Sequence, residues 1–106
     1  MNAKGFFKDL ISNIVLLDTK EKNCDFRFFI ESQDSSGYVD VDLIIDNYLA
    51  FTIKCKINFD DDEKPTLNIT VRREITELTE KEIRVVNDAI VKIREVFDDM
   101  MHIYEG

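Results

Sequence analysis

The spacing of apolar residues changes twice along the chain, and this change limits the possible folds more than any other feature. Over residues 3–17, apolar side chains recur at intervals of three and four, which is typical of an amphipathic helix. From Cys24 to Val71 they recur at every second position, which is typical of strands. From Ile83 to Tyr104 the intervals return to three and four. The sequence therefore predicts a helix, a set of strands and a second helix.

Polar segments divide the period-two region into four predicted strands. Loops at 32–37 and 60–65 are rich in Ser, Asp and other residues that favour turns. The inward-facing apolar residues of the four strands are, in order, Cys24, Phe26, Phe28 and Ile30; Val39, Val41, Leu43 and Ile45; Leu49, Phe51, Ile53, Cys55, Ile57 and Phe59; and Leu67, Ile69 and Val71.

The pairing of these strands follows from matching their inward faces, because opposing residues of an antiparallel pair lie on the same face. A three-residue loop at 46–48 places Leu43 opposite Phe51 and Asp40 opposite Lys54. A two-residue loop would place Leu43 opposite Ala50 and mismatch the two faces. The same matching predicts these further pairs: Val41–Ile53, Phe28–Val41, Arg27–Asp42, Ile57–Ile69 and Lys54–Arg72.

The predicted fold class is α+β. Four strands at a spacing of about 4.8 Å make a sheet roughly 19 Å wide, and two helices of about 10 Å diameter cover that width. We therefore expect a two-layer sandwich in which a four-stranded antiparallel meander of order 1-2-3-4 carries both terminal helices on one face. A length of 106 residues fits one domain over residues 1–106.

The second helix has a clear start and an unusual end. Thr79 and Glu82 have the spacing of a capping box, and Leu78 and Ile83 have that of a hydrophobic staple. Near its end, six apolar residues within nine positions point almost all round the helix, which requires burial on more than one side. We predict that these residues form a homodimer interface: Val96, Phe97, Met100, Met101, Ile103 and Tyr104.

The chain is acidic, with 22 Asp and Glu against 14 Lys and Arg and a net charge of −8. A negative protein is repelled by phosphate backbones, so direct binding to nucleic acid is disfavoured. The densest run of charge lies on the predicted hairpin tip and does not follow the calcium-loop pattern. We predict that this run binds a basic surface of a protein partner, with a merely solvated tip as the alternative: Asp60, Asp61, Asp62 and Glu63.

The sequence contains no catalytic, cofactor or metal-binding motif that we can assign. Cys24 and Cys55 lack the spacing of a zinc site and are expected to be reduced core residues. Asp40 and Asp42 share a strand face, but basic residues are predicted opposite both, which favours ion pairs over a cation site. A carboxylate active site would require His102 beside both of them. We therefore predict a protein that is not an enzyme and has no cofactor.

The sequence alone assigns no role to the outer face of the predicted sheet. It combines Lys54, Lys56 and Arg72 with the aromatic side chains Phe29 and Tyr38. A basic sheet with aromatics suits single-stranded nucleic acid. Acidic neighbours and the net charge argue against that use, so the role of this face stays open.

No apolar run approaches the ~20 residues of a membrane span, and Asp9 falls too early for the apolar stretch of a signal peptide. We therefore expect a cytoplasmic protein that does not enter a membrane. In size, acidity and helix–sheet–helix order, the chain is similar to small phage or mobile-element inhibitors of host enzymes and to small acidic secretion chaperones.

The two resemblances imply different functions. The first implies a non-enzymatic inhibitor that occupies a basic, nucleic-acid-binding surface of its target. The second implies a homodimeric structural or chaperone-like protein that binds through apolar surface. That surface would be the end of the second helix and the edge strand Phe26–Ile30, which could accept an added strand.

Overall fold

A computed structural model describes residues 3–33, 35–59, 64–74, 77 and 79–105. Its four strands form one antiparallel sheet in the order β1-β2-β3-β4, with a helix before and a helix after it. This confirms the predicted α+β meander. The elements are α1 (Ala3–Ile14), β1 (Cys24–Ser32), β2 (Ser36–Ile45), β3 (Tyr48–Asn58), β4 (Thr66–Arg73) and α2 (Glu80–Glu105).

The predicted register is confirmed for β1 with β2 and for most of β2 with β3. Phe28 lies opposite Val41, and Val41 lies opposite Ile53, so the three strands share one apolar face. Charged residues lie opposite each other on the outer face, where Arg27 faces Asp42 and Asp40 faces Lys54.

The turn between β2 and β3 differs from the prediction. Asp46 and Asn47 both have positive φ, 51° and 70°, which is typical of a two-residue type I′ turn. The register then shifts between Leu43 and Ile44, so that Ala50 has no opposing residue. The three-residue loop was therefore wrong. A β-bulge absorbs the one-residue mismatch that the sequence argument assigned to the loop.

The predicted register of β3 with β4 is wrong by two residues. Ile57 lies opposite Leu67 rather than Ile69, and Lys54 lies opposite Thr70 rather than Arg72. A slip of two residues keeps the same side chains inward, so matching apolar faces cannot detect it.

The predicted register would place Phe59 opposite Leu67. Phe59 instead leaves the β3–β4 ladder, so Leu67 is free to pair with Ile57. The Phe59 N–H donates to the Ser35 carbonyl, and its ring stacks on Phe7 with the centroids 5.0 Å apart.

The first helix ends earlier than the predicted residue 17. The N–H groups of Leu16 and Leu17 donate to the carbonyls of Asn13 and Ile14, three residues back, at 3.2 and 3.0 Å. This tighter turn satisfies carbonyls that the end of an α-helix leaves free.

The second helix begins with the predicted capping box. Thr79 N–H donates to Glu82 Oε2 at 2.8 Å, and Glu82 N–H donates to Thr79 Oγ1 at 3.3 Å. The two bonds satisfy donors that the first turn of a helix leaves free. Leu78, predicted to pack on Ile83, lies outside the described residues.

The core lies between the sheet and the two helices. The inward residues of β2 and β3 are buried, except that Leu49, predicted to face inward, lies beyond the bulge and is 38% exposed. Phe26 and Phe28 of edge strand β1 are half-buried. The helices therefore cover the centre of the sheet better than its edges. The largest fully buried side chains are Phe6, Leu10, Ile14, Leu43, Ile53, Ile57, Ile93, Val39, Val41 and Cys55.

Candidate functional site

One end of the molecule brings together three separate parts of the chain. Phe59, the last described residue after β3, stacks on Phe7 of α1. The adjacent Phe6 packs edge-on against Phe97 and Tyr104 of α2, with centroids 5.8 and 5.4 Å apart. The start of α1 thus holds the end of β3 beside the last turns of α2.

Acidic side chains belong to this end of the molecule. Glu95, Asp98 and Asp99 are exposed on α2, and no Lys or Arg follows Glu95 in the sequence. The predicted partner-binding acids, Asp60–Glu63, lie outside the described residues, but the chain enters that segment from Phe59. We use the name acidic end for Glu95, Asp98 and Asp99 of α2 together with the sequence run 60–63, whose own position lies outside the described residues.

The ion pairs among the described residues lie at the opposite end. Arg72 Nε is 2.7 Å from Glu74 Oε1, and Lys81 Nζ is 3.0 Å from Glu21 Oε2. Glu74 follows β4, and Lys81 lies in the first turn of α2, far along the helix from its last turns. Neither ion pair involves a described carboxylate of the acidic end.

The predicted interface on α2 is largely covered by α1. Met100 is buried beside Asn13, whose Nδ2 lies 3.9 Å from its Sδ, and Tyr104 donates a hydrogen bond from its hydroxyl to Asp9. This hydrogen bond raises the pKa of Tyr104. Ile103 alone of the six predicted residues is classed as exposed, at 69%. The burial that the sequence argument assigned to a second chain is therefore supplied mainly by α1.

The remaining members of the predicted interface are half-buried. Val96, Phe97 and Met101 pack against the core cluster, and Phe97 contacts α1 through Phe6. Ile103 lies on a shallow groove of about 470 Å³ between the two helices. Contact of this surface with a second chain stays a prediction.

The paired carboxylates of β2 do not form the predicted ion pairs among the described residues. Asp42 instead accepts a 2.8 Å hydrogen bond from the Thr52 hydroxyl, and Thr52 is buried although it lies on the outer face. Opposing Cα atoms in the register do not guarantee that long basic side chains reach the carboxylates. Thr52 is a shorter partner for Asp42, and it needs no long side chain to be ordered.

A carboxylate active site finds no support in this arrangement. Asp40 and Asp42 lie on the outer face of the sheet, and His102 is exposed on α2 at the other face. The sheet itself therefore separates these groups. Among the described residues, no cluster of His, Cys, Asp and Glu has the grouping of a metal site.

The outer face of the sheet carries mixed charge around a concavity of about 420 Å³. Lys54 and Lys56 line it, and the Lys56 ammonium lies 5.7 Å from the ring centroid of Tyr38. Glu31 and Asp40 line the same concavity. These acids offset the basic side chains, so the face does not form the positive surface that nucleic acid requires.

Both cysteines are unpaired and poorly suited to thiolate chemistry. Burial, with a smaller effect of Asp40, raises the pKa of Cys55 to about 12. Burial, and then the charge of Glu82, raises the pKa of Cys24. Because the thiolate is the nucleophile, a raised pKa lowers the reactivity of both groups.

A larger groove of about 640 Å³ has no signal in the sequence pattern. It lies between the connection 16–21 and α2, with Leu17, Phe26, Val85 and Ala89 among its apolar lining. The groove depends on the path of an irregular segment across the helix, for which the periodicity of the sequence contains no signal. Its charged lining residues include both signs, so no ligand class is favoured.

Comparison of the chain with protein-family models, with curated proteins and with solved structures finds no match. Among the described helices, none combines the length and the apolar composition needed to cross a membrane.

Proposed function

We propose that this chain is a non-enzymatic protein that binds a basic surface of a partner protein through the acidic end. The observation that carries the proposal is the charge of that end. Asp98 and Asp99 are exposed and form no ion pair with a described residue, and four consecutive acids follow Phe59 in the sequence. Such a surface attracts basic partners over distances of about 8–10 Å at moderate salt.

The proposal has a sharper form, in which the partner handles nucleic acid. The acidic end would then occupy the groove that normally holds phosphates and would inhibit the partner, as small inhibitors from phages and mobile elements do. Its support is electrostatic: the net charge of −8, the exposed Asp98 and Asp99 of α2, and the run of four acids at 60–63 in the sequence. The partner could then bind either this chain or nucleic acid, but not both at once.

The test compares two variants of equal net charge. The tip variant carries Asp60→Asn, Asp61→Asn, Asp62→Asn and Glu63→Gln. The control variant neutralises four exposed acids elsewhere, Asp25, Asp46, Glu77 and Asp88, in the same way. Each protein is used to capture partners from nuclease-treated lysate of the source organism, with washes at low and high salt.

The proposal predicts a basic protein that the wild-type chain and the control variant capture at low salt. High salt should release this protein, because salt screens the attraction between exposed charges. The tip variant should not capture it, because it lacks the charges of residues 60–63. Equal capture by both variants, or a partner retained through high salt, would reject the acidic end as the binding site. Displacement of nucleic acid from the purified partner would test the inhibitor form.

A second candidate function is a homodimeric structural or chaperone-like role through apolar surface. One observation favours it: Phe29 and Ile30 of edge strand β1 are 58% and 48% exposed. Binding through these residues would tolerate high salt and would be lost in Phe29→Glu. The salt washes therefore separate the two functions. In both cases we propose a cytoplasmic location, because the two unpaired cysteines suit a reducing compartment.

A further inference from the structure

Edge strand β1 lacks several of the features that usually protect a sheet edge, although Asp25, Arg27 and Glu31 on its outer face are charged. It is nine residues long, contains neither Lys nor Pro, and pairs with β2 without a register shift. Natural edges are commonly shortened, bulged or charged to prevent pairing with another chain. Strand β4, at the other edge, ends in Arg72 and Arg73 and has a polar outer face. Of the two edges, β1 is therefore the better template for an added strand.

Two hydrogen bonds show which backbone groups of β1 point away from β2. Asp46 N–H donates to the Asn23 carbonyl at 2.9 Å, and Gln33 N–H donates to the Ser36 carbonyl at 2.8 Å. In an antiparallel pair the bonded residues alternate, so the odd-numbered residues between 23 and 33 bond to β2. The even-numbered residues, Phe26, Phe28, Ile30 and Ser32, direct their N–H and C=O groups toward the free edge.

The apolar side chains at this edge are exposed on both faces of the sheet. Phe29 is 58% exposed on the outer face, and Ile30 is 48% exposed on the face that the helices cover. The helices do not reach Ile30 fully because they cover the centre of the sheet. A strand added here would remove apolar surface from water on both faces.

The sequence of β1 is complementary to itself in one antiparallel register. With Phe29 on a twofold axis, Arg27 lies opposite Glu31 of the partner subunit, and this pair occurs twice. Phe28 then lies opposite Ile30 of the partner subunit, so apolar residues also match. Phe29 faces its own copy in a pair without backbone bonds, where opposing side chains lie closest.

Other registers are less favourable for the same residues. An axis at Phe28 places Asp25 opposite Glu31 of the partner subunit, and an axis at Arg27 places two guanidinium groups together; both are repulsive. An axis at Phe26 places Phe29 and Ile30 opposite positions 23 and 22, which precede β1. An axis at Ile30 places Phe29 opposite Glu31 of the partner subunit and leaves Arg27 without an acidic partner. The charges and the exposed apolar residues therefore select the same register.

We propose that two copies of this chain pair antiparallel through β1, with Phe29 on the twofold axis, and form a continuous eight-stranded sheet. Four residue pairs exchange roughly eight backbone hydrogen bonds across the axis. The dimer interface then lies on β1 rather than on the end of α2. The pairing does not depend on binding of a basic partner by the acidic end.

The test measures the mass of the protein by sedimentation equilibrium at micromolar concentrations. The wild-type chain should have twice the monomer mass of 12.4 kDa. Ile30→Pro should be monomeric, because it removes an N–H that faces the free edge and leaves the bonds to β2 in place.

Val71→Pro is the matched control on β4. Val71 is also an apolar edge residue, 44% exposed. Glu74 N–H donates to Ala50 O, so the backbone N–H and C=O groups of the odd-numbered residues of β4 point toward the free edge. This variant should remain dimeric. A monomeric wild type, a dimeric Ile30→Pro variant or a monomeric Val71→Pro variant would overturn the assignment to β1.

A charge reversal tests the register. Arg27→Glu and Glu31→Arg should each raise the dimer dissociation constant about tenfold, because each turns two attractive pairs into repulsive ones. The double variant restores opposite charges and should return to within about threefold of the wild type. Arg27 also lies opposite Asp42 in the same chain, so Arg27→Glu places two negative charges together within the monomer. Any destabilisation of the monomer from that pair would persist in the double variant. A double variant as weak as the singles would overturn the register.

Discussion

Replacement of Gly37 by Ala gives a sharp test of how α1 packs on the sheet. A Cβ added at Gly37 would lie less than 3.0 Å from three atoms of the Phe7 ring. No glycine among the described residues has a positive φ, so the backbone conformation itself accepts alanine. The glycine is therefore required only by the close approach of the ring.

The expected effect combines two opposing contributions. In a strand without the contact, alanine would be more stable than glycine by about 0.5–1 kcal/mol. Forcing extra volume into a packed core costs about 1–3 kcal/mol. Because Phe7 also stacks on Phe59, the ring cannot move freely. We expect Gly37→Ala to lower the free energy of unfolding by about 1–2 kcal/mol.

The measurement is urea unfolding followed by far-UV circular dichroism, since the chain has no Trp. The midpoint should fall by about 1 M at an m-value of 1–2 kcal/mol/M. In a Phe7→Leu background, which removes the ring, Gly37→Ala should cost about 1 kcal/mol less. A Gly37→Ala variant more stable than the wild type, or an equal cost in both backgrounds, would refute the close contact.

Three further predictions follow from local structure. Thr79→Ala should lower the free energy of unfolding by about 1 kcal/mol through loss of the cap, while Thr79→Ser should keep most of it. Asn47→Ala should cost about 1 kcal/mol at its positive φ and Asn47→Gly should cost nothing, both measured by urea unfolding. A thiol reagent at pH 8 should modify Cys24 slowly and Cys55 only after unfolding, because the pKa of Cys55 is raised to about 12. Equal rates for the two native thiols would contradict the burial of Cys55.

The periodicity of the sequence was sufficient to predict the helices, the strands and their order. It was sufficient because each buried face repeats one spacing over many residues, as in the inward residues of β2 and β3. It was not sufficient at positions where one extra residue in a strand or a turn changes the pairing register. The bulge at Ala50 and the type I′ turn at Asp46–Asn47 compensate for each other, so the register beyond them agreed while the turn did not.

Contacts between elements were harder to predict than the elements themselves. The end of α2 suggested a second chain because six apolar residues surround it. The structure instead covers Phe97 and Tyr104 with the start of α1 and Met100 with its end. The sequence shows that a residue is apolar, but it does not show which neighbour buries it. In contrast, the exposure of Phe29 follows from its outward position on an edge strand.

The central claim is that the acidic end binds a basic partner by electrostatic attraction. The most direct measurement is the dissociation constant of the purified complex as a function of salt, for the wild-type chain and for the variant neutralised at 60–63. The account predicts that wild-type binding weakens at least about tenfold between 0.05 and 0.3 M salt, with a shallower dependence for the variant. A dissociation constant that does not change with salt, or that is equal for both proteins, would contradict it.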